Sequence, residues 1–120
     1  MAKPVVHFEV VGRDAEALQH FYSAVFGWDM QQVMPGYALV HAGAEGGIDG
    51  GVGGDPGGGA GRVTFYVQVE DLEGTLDEVK KLGGKTAMEP DEVPNGPRLA
   101  LFEDPEGHLI GLTTATASPA

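Results

Sequence analysis

Val6-His7-Phe8-Glu9-Val10 and Val63-Thr64-Phe65-Tyr66-Val67 lie over one another when the chain is laid against itself. Each alternates with period two, the spacing of a strand with one apolar and one polar face. Asp14 and Asp71 follow at the same offset, each placed to cap a helix. After Asp14, Leu18, Phe21, Tyr22 and Val25 recur at helical spacing, Glu16 sits in the first turn, and Gly27 can supply a left-handed stop. After Asp71 the stripe is Leu72, Leu76 and Val79, ended by Gly83-Gly84. Phe26-Gly27 lies over Leu82-Gly83 one residue closer, so a single deletion in the helix reconciles the two copies.

Each copy continues as strands. Trp28 to Val33 and Tyr37 to His41 flank the turn Pro35-Gly36, and Ile48 to Val52 reads as a short third strand weakened by its glycines. In the second copy the strands are Lys85 to Met88, Arg98 to Phe102 and Leu109 to Thr113, with Asp104-Pro105-Glu106-Gly107 turning between the last two. Between Gly53 and Gly61 the chain is almost all glycine, which reads as a flexible linker. It has neither GxGxxG nor the GK[ST] ending of a phosphate-binding loop. The tail from Ala115 is small and polar and is expected to fray. The expected organisation is one domain over residues 1–120, made of two βαβββ modules, 4–53 and 62–114, joined by the Gly-rich linker 53–61.

Composition narrows the function. A chain of 120 residues fits one domain, and 42% hydrophobic against 21% charged residues is enough to close a core. The absence of cysteine excludes disulfides, thiolate metal sites and a cysteine nucleophile. No stretch has the length of a membrane span and Met-Ala-Lys-Pro opens no signal peptide, so the expected home is cytoplasmic, with no membrane partner. The net charge of −11 repels phosphate backbones, and Lys80-Lys81 is the only adjacent basic pair, so no nucleic-acid partner is expected.

One helix across a four-stranded sheet leaves the other sheet face bare, and two such faces can surround a cleft. Alternation assigns Val6, Phe8, Val10, Phe65, Val67, Val69, Leu99, Leu101, Ile110 and Leu112 to the helix side. It assigns His7, Glu9, Thr64, Tyr66, Gln68, Arg98, Phe102 and Thr113 to the cleft side, a mixture of polar groups and aromatics that suits a small-molecule pocket or an exposed face. Tyr37 and His41 share a face as i and i+4 of one strand, while Trp28 and Tyr66 can stack a planar ligand or pack structurally. Arg98, the one cation assigned to the cleft, either holds a carboxylate or pairs with a neighbouring acid. His7 can serve as a general base. Glu9 is its natural orienter, but residues two apart in a strand stand roughly 6.5–7 Å apart, which does not favour a direct hydrogen bond.

The helix end Phe21-Tyr22…Val25-Phe26-Gly27-Trp28 and the motif Phe102-Glu103-Asp104-Pro105-Glu106-Gly107-His108-Leu109-Ile110, in this order on a βαβββ repeat, resemble the vicinal oxygen chelate superfamily (glyoxalase, bleomycin resistance protein, extradiol dioxygenase) from Pro4 to Leu112. The resemblance implies an α+β fold: tandem βαβββ repeats forming a cupped mixed β-sheet with helices on the outer face. It also implies four metal-ligand positions on the first and last strands of the two units. Here they fall on His7, Thr64, Gly111 and Gly50 or Gly51. One donor in four cannot hold a divalent ion, since stable sites use three or four. No cofactor is therefore expected; a divalent metal would require Glu9 or His41 to supply missing donors.

The resemblance then points to the metal-poor, glyoxalase-like branch and to a protein that binds a small organic molecule in the cleft between the modules. The expected ligand-binding residues are His7, Glu9, Trp28, Tyr37, His41, Thr64, Tyr66, Gln68, Arg98 and Phe102. The alternative is a small lyase or isomerase using His7 or Tyr66 for proton transfer. A homodimer is expected, because each unit has edge strands with unpaired backbone groups and proteins resembling this family pair two chains.

Overall fold

Asp14 and Asp71 cap as their positions predict. In the computed structural model, which describes residues 2–43, 45–55, 59, 61–92 and 96–115, both are extended. The Asp14 carboxylate accepts from the Ala17 N–H at 3.0 Å and the Asp71 carboxylate from the Gly74 N–H at 3.0 Å. They open α1 (Ala15–Phe26) and α2 (Leu72–Lys81). Gly27 stops α1 at φ 70, a left-handed conformation that costs glycine nothing.

The described residues form an α+β chain of eight strands and two helices in the order expected of two βαβββ copies. The strands are β1 (Val5–Gly12), β2 (Asp29–Met34), β3 (Tyr37–His41) and β4 (Asp49–Gly54) in the first copy. The second copy has β5 (Arg62–Gln68), β6 (Lys85–Glu92), β7 (Arg98–Glu103) and β8 (Leu109–Thr113). By packing, the chain divides into one unit of Val6–Thr64 and another of the chain up to Val5 together with the chain from Phe65 onward.

In the first unit the strands run in the order β2-β3-β4-β1, with β1 parallel to β4 and the other neighbours antiparallel. β4 is a longer strand than its glycines suggest and takes in Gly53 and Gly54, which the sequence reading gave to the linker. The rest of that linker, at 56–58 and 60, and the tail beyond Ala115 lie outside the described residues. Paired on both sides, β4 does not need side chains to hold its pleat, and the missing side chains make room for others. A Cβ on Gly50 would strike the Phe8 ring on the helix side. A Cβ on Gly51 or Gly53 would strike Tyr37 on the opposite side.

The buried apolar residues of this sheet are Ala38, Val40 and Val52 on the side of Phe8 and Val10, and Val11 on the side of His7 and Glu9. The stripe predicted for α1 is only partly buried: Gln19 is the helix's one buried residue, while Phe21, Val25 and Phe26 are 55%, 54% and 59% exposed. Gln19 satisfies its amide by donating to the Val52 carbonyl at 2.9 Å and accepting from Gln32 at 2.6 Å. A groove of about 590 Å³ beside this pair runs from Ala15 and Glu16 to Met34 and Gly36.

In the second unit the order is β5-β8-β7-β6, again with the parallel pair between the first and last strands of the copy. Val69, Leu72, Leu76, Ala100 and Leu112 form its core, with Val67 and Phe102 packed against them. This corrects the predicted faces of β7. Ala100 stands opposite Leu112 and Phe102 opposite Ile110, so these face α2, and Leu99 and Leu101 point away. Leu99-Ala100-Leu101-Phe102 is apolar throughout and has no period to read, so only the pairing partner decides its phase. Phe65, predicted to face the helix like Phe8, is 40% exposed. No helix among the described residues is long and apolar enough to cross a membrane.

Candidate functional site

Period-two alternation puts His7 and Glu9 on the side of β1 away from α1. Register brings Asp49 opposite His7 and Gly51 opposite Glu9 on β4, with Leu39 of β3 opposite Gly51. Tyr37, two residues before Leu39, lies on the same face and lays its ring across Gly51 and Gly53. Its hydroxyl thereby reaches β1, where it donates to Glu9 Oε2 at 3.0 Å and stands 3.3 Å from His7 Nε2. From β5, Arg62 donates from Nη2 to the other Glu9 oxygen, Oε1, at 3.2 Å. Four side chains from three strands are thus joined through one buried carboxylate, Glu9 being 8% exposed.

The electrostatics follow from burial. Desolvation holds the His7 imidazole below its ordinary pKa, and the nearby Glu9 and Asp49 carboxylates oppose this only in part. His7 is therefore neutral at pH 7. The buried Glu9 carboxylate is paired with a guanidinium at Oε1 and accepts a hydrogen bond from a phenol at Oε2, which is how it can be kept this far from water.

Several predicted residues meet here and others do not. His7, Glu9 and Tyr37 are in contact, and the bridge between the two β1 side chains is the Tyr37 hydroxyl, not the direct bond that strand spacing disfavours. His41 lies on the same face, bonded to Gln31 at 2.6 Å, and Asp49 accepts from the Ala42 N–H at 2.8 Å. Thr64 is buried two residues along β5 from Arg62. Trp28 belongs elsewhere: its ring stacks on Tyr22 at 5.4 Å and tilts against Phe8 at 5.2 Å, within the aromatic cluster of α1. Arg98 and Phe102 are moved off the polar face by the corrected phase of β7. Arg98 pairs with Glu73 of α2 at 2.6 Å, the alternative its sequence position left open, and Phe102 joins the α2 core. In the second unit Tyr66 and Gln68 lie on the side away from α2, with the buried Tyr66 ring over Gly111.

Sequence reading missed Arg62. The signal was present: carrying the alternation of Thr64 one step back places Arg62 on the same side of β5. Arg62, not Arg98, is the cation of this face.

The sequence model of the family described as "Glyoxalase/Bleomycin resistance protein/Dioxygenase superfamily" matches residues 5–112. The chain belongs to this superfamily. A glyoxylase-like domain-containing protein of Didymella fabae is 32% identical over 116 residues, 88% of this chain and 89% of that one. Among solved structures, a hypothetical protein of Bacillus halodurans C-125 superposes with a TM-score of 0.71 at 17% identity, covering 100% of this chain and 99% of its own. The Mn(II)-bound glyoxalase of Novosphingobium aromaticivorans gives 0.67 at 20% identity, covering 99% of this chain and 42% of its own. At these identities the likeness to the two structures is one of fold.

The superfamily's metal-ligand positions can be tested against this geometry. His7 offers an imidazole and Thr64 only a hydroxyl. The last-strand positions are Gly51, opposite Glu9 in one copy, and Gly111, opposite the matching Tyr66 in the other. At each the space a side chain would fill holds a tyrosine, Tyr37 at Gly51 and Tyr66 at Gly111. Among the described residues no three acidic or histidine side chains are placed to hold a metal ion. These residues do not fit the superfamily's metal.

Proposed function

We propose that this superfamily member binds a small organic molecule on the polar face of β1, β3 and β4, without a divalent metal. The observation that carries the reading is Tyr37: its hydroxyl sits where Gly51 carries no carboxylate, and it ties His7 to Glu9. A face with a neutral imidazole, a phenol, a held carboxylate and an exposed third of Arg62 offers both donors and acceptors to a ligand, with Leu39 as an apolar floor. Native mass spectrometry of gently desalted protein, with and without chelator, tests it. A small-molecule adduct that survives chelator and is lost in Tyr37→Ala is expected. An adduct released by chelator overturns the metal-free reading, and a chain with no adduct and no thermal shift across a panel of carbonyl and phenolic compounds overturns binding.

Proton transfer by His7 is the second reading, favoured by the neutral, half-buried imidazole in contact with a phenol. Tyr66, the other candidate, is packed over Gly111 and only 5% exposed.

The protein is further proposed to be a cytoplasmic homodimer, in line with its cysteine-free sequence and the exposed Phe21, Val25 and Phe26 of α1. A contact of about 800 Å² per partner would cover such a patch. Sedimentation at micromolar concentration should give twice the chain mass, and a clean monomer would refute it.

A further inference from the structure

Gln32 stands opposite Ala38, Ala38 opposite Val52 and Val52 opposite Val10, so Gln32 lies on the α1 side of its sheet, away from His7, Glu9 and Tyr37. The groove beside it, about 590 Å³, is of ligand size. Ala15 and Glu16 of α1 wall it on one side. On the other side the β2–β3 register slips between Gln32 and Met34, a bulge that leaves Val33 unopposed on β3. Val33 and Met34, both exposed, line the groove together. Gln19 fixes what the groove can offer. It is 7% exposed, at a place where an apolar side chain would dock α1 on β4 without desolvating an amide. Its Nε2 is committed to the Val52 carbonyl at 2.9 Å, so its Oε1 is turned to Gln32 and can only accept. Gln32 therefore answers with an N–H, at 2.6 Å, because a flipped amide would set oxygen against oxygen. That leaves the second N–H and the carbonyl oxygen of an exposed Gln32 for a ligand.

We propose that this groove is a second ligand site, separate from the polar face of β1, and that it takes an uncharged lactam paired with the Gln32 amide. A lactam holds its N–H and C=O side by side on one edge of a ring. It accepts from the Gln32 N–H and donates to the Gln32 oxygen at once. Its ring carbons cover Val33 and Met34, apolar surface that otherwise faces water. Glu16 at the mouth repels an anion, and it is too exposed for an ion pair with a cation to add much. A ketone of the same size satisfies the Gln32 N–H and leaves the Gln32 oxygen without a donor.

The probes are δ-valerolactam and its N-methyl derivative, which has the same ring and oxygen but no N–H. In titrations of ¹⁵N-labelled protein followed by NMR, the lactam should shift the side-chain amide signals of Gln32 and Gln19. The N-methyl compound should bind about tenfold more weakly, the effect of losing one or two neutral hydrogen bonds. Gln32→Leu keeps the bulk of an exposed side chain and removes its amide, and should weaken lactam binding by a similar factor. Equal binding of the two compounds, or lactam binding unchanged in Gln32→Leu, overturns the proposal. So does the absence of any shift at Gln32 and Gln19 at millimolar lactam. Shifts confined to the His7 ring nitrogens would place the lactam on the polar face and overturn it as well. The comparison of the two compounds is made on the wild type, so it decides the matter even where Gln32→Leu perturbs the fold.

Discussion

The Tyr37 ring lies where a side chain on Gly51 would begin, and it reaches Glu9 only because that side chain is missing. Gly51 has an ordinary strand backbone, so alanine suits its conformation and fails only for space. Gly51→Ala should therefore destabilise the fold by about 1–3 kcal/mol, the usual cost of overpacking. In a Tyr37→Ala background the same change should cost distinctly less, because the two residues share one volume. Urea unfolding of the four proteins in this cycle measures the coupling, and additive effects would show that the ring does not occupy that space.

Phe8 and Phe65 hold matching places in the two copies but not matching environments. Phe8 lies over Gly50 and against Trp28, while Phe65 is 40% exposed. Truncating Phe8 to Ala should cost about 3 kcal/mol, the low end for a packed Phe, and truncating Phe65 clearly less. Thermal or urea denaturation separates the two, and equal losses would place Phe65 in a contact made outside this chain's own helix face.

His7 gives stability a pH dependence of known sign. Unfolded, it titrates at its ordinary 6.5; folded, burial holds it lower against the pull of Glu9 and Asp49, with Tyr37 on Nε2 and Arg62 held beyond Glu9. Between those two values the unfolded chain binds the extra proton, so stability rises with pH across that window. It is fully present above 6.5 and falls as the pH drops toward the folded value. The urea midpoint of the wild type should fall more than that of His7→Asn between about pH 7.5 and about pH 5.5. Parallel falls would mean that His7 is as solvated in the fold as in the unfolded chain.

The two arginines should behave differently on substitution. Arg98→Gln breaks an exposed pair with Glu73 and should leave ligand retention unchanged. Arg62→Gln leaves the buried Glu9 without its cation, and should both destabilise the fold and weaken ligand retention. Retention followed by native mass spectrometry, with stability by urea in parallel, compares them. A ligand lost on Arg98→Gln and kept on Arg62→Gln would return the cleft cation to the place first read from the sequence.

Local rules were legible wherever one residue type suffices. Asp14, Asp71 and Gly27 mark helix ends because a carboxylate cap and a left-handed stop each depend on a single residue, and all three stand where predicted. Tyr37–His41 and Leu109–Thr113 have the bounds expected from turn chemistry and alternation. Alternation failed at Leu99-Ala100-Leu101-Phe102, where every residue is apolar, and with it went the assignments of Arg98 and Phe102. The glycines of β4 misled in the opposite direction: in one dimension they weaken a strand, whereas between β1 and β3 they are slots for Phe8 and Tyr37. The candidate site was half legible, since His7 and Glu9 share a face by period two, and Arg62 lay one step beyond the window read.

The sequence by itself determined the two βαβββ copies, the helix caps, the polar face of β1 and the scarcity of donors at the superfamily's metal positions. Each of these depends on residue type at short range, through alternation, capping and the identity of a side chain. Only the tertiary structure decided that Tyr37 spans from β3 across Gly51 to join His7 and Glu9, that Arg62 closes the series, and that Arg98 belongs to α2. Those contacts join residues 25 to 53 positions apart, and register, not local preference, brings them together. A one-residue slip of β7 would send every side chain to the other face, and its apolar run Leu99-Ala100-Leu101-Phe102 has no period to oppose that slip.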